Sequence, residues 1–234
     1  MHAPDGYIDI PTSVAAGAVA VVAVGFALRG ARRELDERTA PMAGLVAAFV
    51  FALQMLNFPV AGGTSGHLMG GALAAVLVGP WTGLLAVTCV LMVQALLFSD
   101  GGLTALGLNV STMAMATVVV GYAVFRLVVA VLPRRPSSVV IGSFVGALLS
   151  VPASALAFVA FFAVGGTVDV PLDTVLSAML AVHVLIGIGE AILTALTVSA
   201  VIAARPDLAY GARGLLTGTE LRLGATAQVD GGTR

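Results

Sequence analysis

Lysine is missing from this 234-residue chain, so its basic side chains are all arginine. Charge of either sign is scarce, at 10% of residues, and aromatic residues make up only 6%. A soluble globular domain carries about 25% charged residues, and the composition excludes that class. The single cysteine, Cys89, lies inside an apolar run. A lone thiol rules out a disulfide framework, and its setting predicts a buried, inert side chain. No basic stripe interleaves with aromatic residues, which leaves nucleic-acid binding without support. The amino terminus has Asp5 and Asp9, and no basic residue, ahead of its first apolar run, so a cleavable signal peptide is not expected. Neither an HExxH pair nor a nucleophile motif is present to suggest an intramembrane enzyme.

What the chain does have is apolar length. It is 59% hydrophobic with a mean hydropathy of +1.06, which predicts an all-α, polytopic membrane protein. Apolar runs cover residues 14–28, 42–58, 81–98, 108–132, 139–164 and 175–204. A further short helix is expected over 67–78, capped by Thr64 or Ser65 and closed by Gly79-Pro80. That makes about seven transmembrane helices. The stretch VAGGTSG at 60–66 is too rich in glycine to span and reads as a loop at the membrane face. Residues 1–204 form one integral membrane domain, and 205–234 a short polar tail. Gly66-x-x-x-Gly70 and Gly142-x-x-x-Gly146 suit close helix approach.

Orientation follows from the arginines, which favour the inner side. Arg29, Arg32, Arg33 and Arg38 share one face with Arg134, Arg135, Arg205, Arg213, Arg222 and Arg234, and Arg126 lies near the same end of its helix. The opposite segments hold Asp5, Asp9, Asp100, Asp169 and Asp173. The amino terminus is therefore expected outside and the carboxyl terminus inside, in the cell membrane. This topology gathers Met1, His2, the loop at 59–66 and the turn at 99–107 on the outer face.

A free amino terminus followed by histidine offers three nitrogen donors in a row. They are the Met1 amine, the deprotonated His2 amide and the His2 imidazole. The chelate rings are small and nearly planar, which suits tetragonal nitrogen coordination of Ni(II), Cu(II) or Co(II). The large His2 side chain discourages methionine removal. His67 is the candidate for the open in-plane position. At the start of the expected helix its imidazole would be kept neutral by the helix dipole, and neutral imidazole is the form that binds metal. Asp5, Gln94, Asp100 and Asn109 are candidate support residues, because metal-bound imidazoles donate their second nitrogen's proton to an oxygen. His183 and Glu190 share one face of the last helix. Counting from Asp173 at about 1.5 Å per residue places them roughly 15 and 25 Å deep. His183 reads as a packing histidine, and Glu190, too deep for an outer-face site, as a coupling or contact residue.

MHxPDG at the start, QMLNFPVAGGTSGHLMGGALAAVLVGP at 54–80, QALLF-x-DGGLTALGLN at 94–109 and HVLIGIGEA at 183–191 resemble the CbiM/NikM family. Its members are the substrate-capture subunits of energy-coupling-factor (ECF) transporters for cobalt or nickel. The resemblance implies Met1, His2 and His67 as metal ligands and Co(II) or Ni(II) as transported substrate, with no organic cofactor. It also implies a coupling transmembrane subunit and a cytoplasmic ATPase pair that hydrolyses ATP. Any accessory membrane subunit would be a separate chain. Two departures stand out. Ser111-Thr112-Met113 replaces a hydrophobic residue followed by Asn-Met, and PDG at 4–6 leans towards nickel members. The rival reading is a capture protein for a small organic molecule or vitamin. It predicts an apolar pocket and indifference to the amino terminus.

Overall fold

The structure, a computed structural model, describes residues 2–37, 39–59, 65–213 and 215. An extended amino-terminal segment runs into α1 (Ile10–Glu34). Asp9 starts this helix by accepting a hydrogen bond from the Thr12 amide at 2.9 Å, with a proline in the first turn. Both devices satisfy or remove an amide that would otherwise lack a partner. α2 (Ala40–Gln54) is shorter than the apolar run that suggested it. A two-stranded antiparallel hairpin follows, β1 (Asn57–Pro59) and β2 (Ser65–His67), in which Asn57 faces His67. Then come α3 (Gly71–Val78), α4 (Pro80–Leu97), α5 (Leu106–Val131), α6 (Pro136–Gly165) and α7 (Leu172–Ala204).

Seven helices are therefore present among the described residues, and five are long and apolar enough to cross a membrane. These are α1 and α4 to α7. α3 is different in kind: all eight of its residues are buried, and it sits among its neighbours as an internal post. Its sequence, GALAAVLV, carries no polar side chain and mostly small ones. Small residues let helix backbones approach closely. The pair Gly142 and Gly146 on α6 meets α5 in the same way, against Phe125 and the Gly121 carbonyl.

Two expectations are corrected. The helix expected at 67–78 begins four residues later, because the chain first pairs as a hairpin and then turns at Gly70, whose φ of 75° is left-handed. That region favours glycine. His67 therefore lies on a strand, Gly66 is not helical, and among the described residues no side chain caps α3. Thr64 lies outside the described residues. Secondly, Cys89 is exposed on the outward face of α4. Its neighbours in sequence are apolar because they face lipid or core in turn, so an apolar run alone does not imply burial. The start of the tail packs back on the bundle. Two 3-10 turns, Pro206–Leu208 and Tyr210–Ala212, bury Ala209 and Ala212. The tail from 216 onward lies outside the described residues, as does Arg38.

α5 contains one turn of π-helix at Val110–Met115. The wider turn leaves backbone groups without regular partners, and side chains answer them. Thr112 donates to the Leu108 carbonyl at 2.9 Å, and Ser154 of α6 donates to the Thr112 carbonyl at 2.5 Å. This is the stretch where Ser111-Thr112-Met113 departs from the resemblance. π-Turns concentrate next to functional positions, and this one directly follows Asn109.

At the opposite end of the bundle, Glu34 closes α1 and caps α4. Its carboxylate accepts from the Trp81 and Thr82 amides at 3.2 and 2.7 Å while only 4% exposed. Hydrogen bonds to a buried charge are each worth about 1.5–3 kcal/mol. Glu34→Ala, which removes both bonds, should cost about 3 kcal/mol or more, read as a lower melting temperature in detergent. Glu37→Ala, at an exposed position, should leave melting unchanged.

Candidate metal centre

The amino-terminal segment has no regular structure, yet it is held at nearly every residue. Asn109 grips Ala3 from both sides: its Oδ1 accepts from the Ala3 amide at 2.8 Å, and its Nδ2 donates to the Ala3 carbonyl at 3.3 Å. The Gly102 amide donates to the same carbonyl at 2.9 Å. Asp5 accepts from the Thr104 amide at 2.8 Å and from its hydroxyl at 2.6 Å. Those bonds draw the Asp5 carboxyl below its usual range. A side chain at Gly102 would strike Asp5, since its β-carbon would lie 2.3 Å from the Asp5 amide nitrogen. Further on, Tyr7 packs its ring against Phe158 and Phe162, and the Asp9 amide donates to the Gly165 carbonyl at 2.7 Å. The segment is thus sewn between the turn after α4 and the turn after α6.

This threading delivers His2 to His67. His2 Nδ1 and His67 Nε2 are 3.1 Å apart, with ring centroids 4.6 Å apart and planes within 27°. Both side chains are enclosed, at 5% and 0% exposure. Their other nitrogens assign the protons. His67 Nδ1 lies 2.8 Å from the Leu68 carbonyl, which can only accept, so Nδ1 carries the proton and Nε2 presents a lone pair. His2 Nε2 donates to Gln94 Oε1 at 3.1 Å. His2 Nδ1 then faces two acceptors, His67 Nε2 and Asp100 Oδ1, the latter at 3.2 Å. The bond from His2 also holds the Asp100 carboxyl below its usual range.

His67 is kept neutral by burial, with the positive amino terminus and His2 adding to the effect; its pKa lies well below the ordinary histidine value. The helix dipole expected to do this is not available on a strand. Asp100 reaches the site from a tight turn at the end of α4. Ser99 adopts a left-handed φ of 54°, and the Phe98 and Asp100 amides both bond the Gln94 carbonyl.

The structure thus brings together His2, His67, Gln94, Asp100 and Asn109, with Asp5 anchoring the segment from outside. Met1 lies outside the described residues. Among the described residues no group of three or more His, Cys, Asp or Glu side chains is gathered for a metal ion. Further donors would have to come from the backbone of the terminus. His183 is fully buried, donates Nδ1–H to the Met179 carbonyl at 2.8 Å, and leaves Nε2 without a partner among the described residues. Glu190 overturns its sequence-based placement. It accepts from the Met69 and Gly70 amides at 2.6 and 2.9 Å, two and three residues beyond His67. The depth count considered α7 alone, whereas the turn at 68–70 reaches the Glu190 carboxylate. Thr104 and the Leu68 carbonyl were not singled out in the sequence. Only the pair Gly101-Gly102 hinted that another backbone comes close there.

The fold, with five helices long and apolar enough to cross a membrane, is that of a multi-pass membrane protein. Residues 2–208 match the CbiM family, described as the cobalt uptake substrate-specific transmembrane region, and the chain belongs to that family. A cobalt transport protein CbiM of Sorangium cellulosum is 33% identical over 215 residues, covering 89% of this chain and 94% of that one. A chain of Archaeoglobus fulgidus, provisionally named as a fused nickel transport protein NikMN, is 38% identical over 208 residues, covering 89% and 68%. A crystal structure titled as a transition metal transporter superposes with a TM-score of 0.78 at 31% identity, covering 95% of this chain and 99% of that one.

The clamp on Ala3 makes a prediction independent of any metal. Asn109→Ala removes both of its bonds to that residue, and a net hydrogen bond of about 1.4 kcal/mol corresponds to a tenfold change. Amide hydrogen exchange at Ala3 should accelerate roughly tenfold. An unchanged rate would mean that Gly102 and the flanking contacts suffice.

Proposed function

We propose that the protein captures Co(II) or Ni(II), as transported substrate, in a near-planar nitrogen site made by the Met1 amine, the His2 amide and imidazole, and His67 Nε2. One observation carries the reading: His2 Nδ1 and His67 Nε2 converge at 3.1 Å inside the protein. Metal–imidazole bonds of about 2.0–2.1 Å at a cis angle of about 90–100° put two nitrogens roughly 2.8–3.2 Å apart, with ring centroids roughly 4.5 Å apart. The metal-free spacing of 3.1 Å and the centroid separation of 4.6 Å already match this. Both nitrogens would have to be free of protons to bind the ion, and metal binding to imidazole generally releases protons. Gln94 would hold the His2 ring through Nε2–H and the Leu68 carbonyl the His67 ring through Nδ1–H, the arrangement that sets tautomer and orientation in metal sites. Asp100 would offset the positive charge of the bound ion, and Asn109 and Asp5 would keep the terminus in place.

The site opens to the outer side in this reading, because the arginines collect at the other end. As an ECF-type capture subunit the chain would work with a coupling transmembrane subunit and a cytoplasmic ATPase pair. ATP would be hydrolysed on the partner chains. The enclosure of His2 and His67 favours an ion over a small organic molecule, since the space between the rings fits a single atom.

Extending the chain before Met1 converts the amine to an amide and removes a donor. Binding of Ni(II) and Co(II), measured by isothermal titration on untagged protein, should collapse on extension even with His2 intact. His67→Ala should lower affinity about 100-fold, on the order of 3 kcal/mol, and His183→Ala by less than tenfold. Full affinity in the extended protein would sink the chelate. The reverse order of the two histidines would move the site into the membrane.

A further inference from the structure

Glu190 is a buried ionisable group that the chelate itself leaves unused. A carboxylate at 1% exposure in an apolar bundle is costly unless its lone pairs are matched. Glu190 matches both with consecutive backbone amides, Met69 through Oε2 and Gly70 through Oε1. α3 has no cap of its own at this end, so the carboxylate arrives from α7, where the helix dipole also favours negative charge.

The Met69 amide belongs to the same planar unit as the Leu68 carbonyl. That carbonyl is the acceptor for His67 Nδ1–H. The two hydrogen bonds therefore sit at opposite ends of one peptide group. From α7 outward, the Glu190 carboxylate takes the Met69 N–H at 2.6 Å, and the Leu68 carbonyl takes the His67 Nδ1–H at 2.8 Å. Hydrogen bonds in such chains polarise one another. A carboxylate on the amide end makes the carbonyl end a stronger acceptor. Gln54 holds the next carbonyl, donating to Met69 at 2.8 Å from a fully buried position, so the peptide cannot swing away.

We infer that Glu190 is a positioning residue for His67, acting through the Leu68–Met69 peptide as the carboxylate member of a carboxylate–peptide–histidine relay. It locks the ring in its Nδ1–H tautomer, aims Nε2 at His2 and raises the donor strength of Nε2. It also ties the site to α7, so a displacement of that helix moves His67 directly. This rests on the metal-capture reading. A direct carboxylate partner does the same for many metal-bound histidines, and its loss weakens metal affinity about 10–100-fold.

The test uses Ni(II) alone and untagged full-length protein. Glu190→Gln keeps the shape but turns an amide donor towards one of the two backbone amides. It should weaken Ni(II) binding about 10–100-fold and shift the visible absorption of bound Ni(II) towards that of His67→Ala. In the His67→Ala background the same change should have almost no further effect, because the residue it acts through is gone. Glu190→Asp, which retains the charge, should recover part of the loss. Unchanged affinity in Glu190→Gln, or an equal loss with and without His67, would overturn the inference. So would a wild-type His67 carrying its proton on Nε2, read from imidazole 15N shifts of the metal-free protein, which needs no variant at all. If His2→Ala and His67→Ala themselves bind Ni(II) normally, the capture reading fails. If they lose binding while Glu190→Gln does not, only the relay fails.

Discussion

Backbone amides and carbonyls cannot be left bare in apolar surroundings, and the non-helical parts of this protein obey that constraint through a few long-range side chains. Asn109 supplies donor and acceptor to Ala3 across the bundle. Gln54 and Glu190 supply them to the turn at 69–70. Glu34 does so for the start of α4. Each of these side chains is nearly or wholly buried. Removing one would leave stranded backbone groups as well as a gap in packing.

The site is a consequence of this arrangement. An amino-terminal segment and a short hairpin are both poor scaffolds in isolation, because neither has a core of its own. Here each is fastened to a spanning helix within two residues of its histidine: Asn109 of α5 holds Ala3, beside His2, and Glu190 of α7 holds Met69, two residues from His67. Flexible pieces thereby acquire the precision that a small ion demands. Because the fasteners belong to different helices, the separation of the two imidazoles reports how α5 and α7 stand relative to each other.

Much of the candidate site was legible before the fold was known. The pairing of His2 with His67 followed from charge topology, since arginine asymmetry placed both on one face. Gln94, Asp100 and Asn109 attracted notice as polar residues in apolar runs, where polarity needs a reason. The role of His67's neutral state was anticipated, but for the wrong cause: burial lowers its pKa, and no helix dipole acts on it. Glu190 was misplaced because a depth count along one helix says nothing about which other segment reaches it. The burial of Cys89 failed for a related reason. In a bundle facing lipid, apolar sequence surrounds exposed and buried positions alike.

What the sequence by itself determined was the class and the cast: an apolar, arginine-poled bundle of about seven helices, with histidines and polar residues grouped at one end. Composition and charge decide this much because the membrane sorts residues by hydropathy and sign, and both can be read in one dimension. Only the tertiary structure decided that His67 sits on a strand, that His2 is delivered beside it, and that a glutamate from the last helix grips the peptide next to it. The last two outcomes depend on hydrogen bonds between residues 65 to 121 positions apart. Such bonds leave no periodic trace in the chain, because their geometry exists only once the helices have packed.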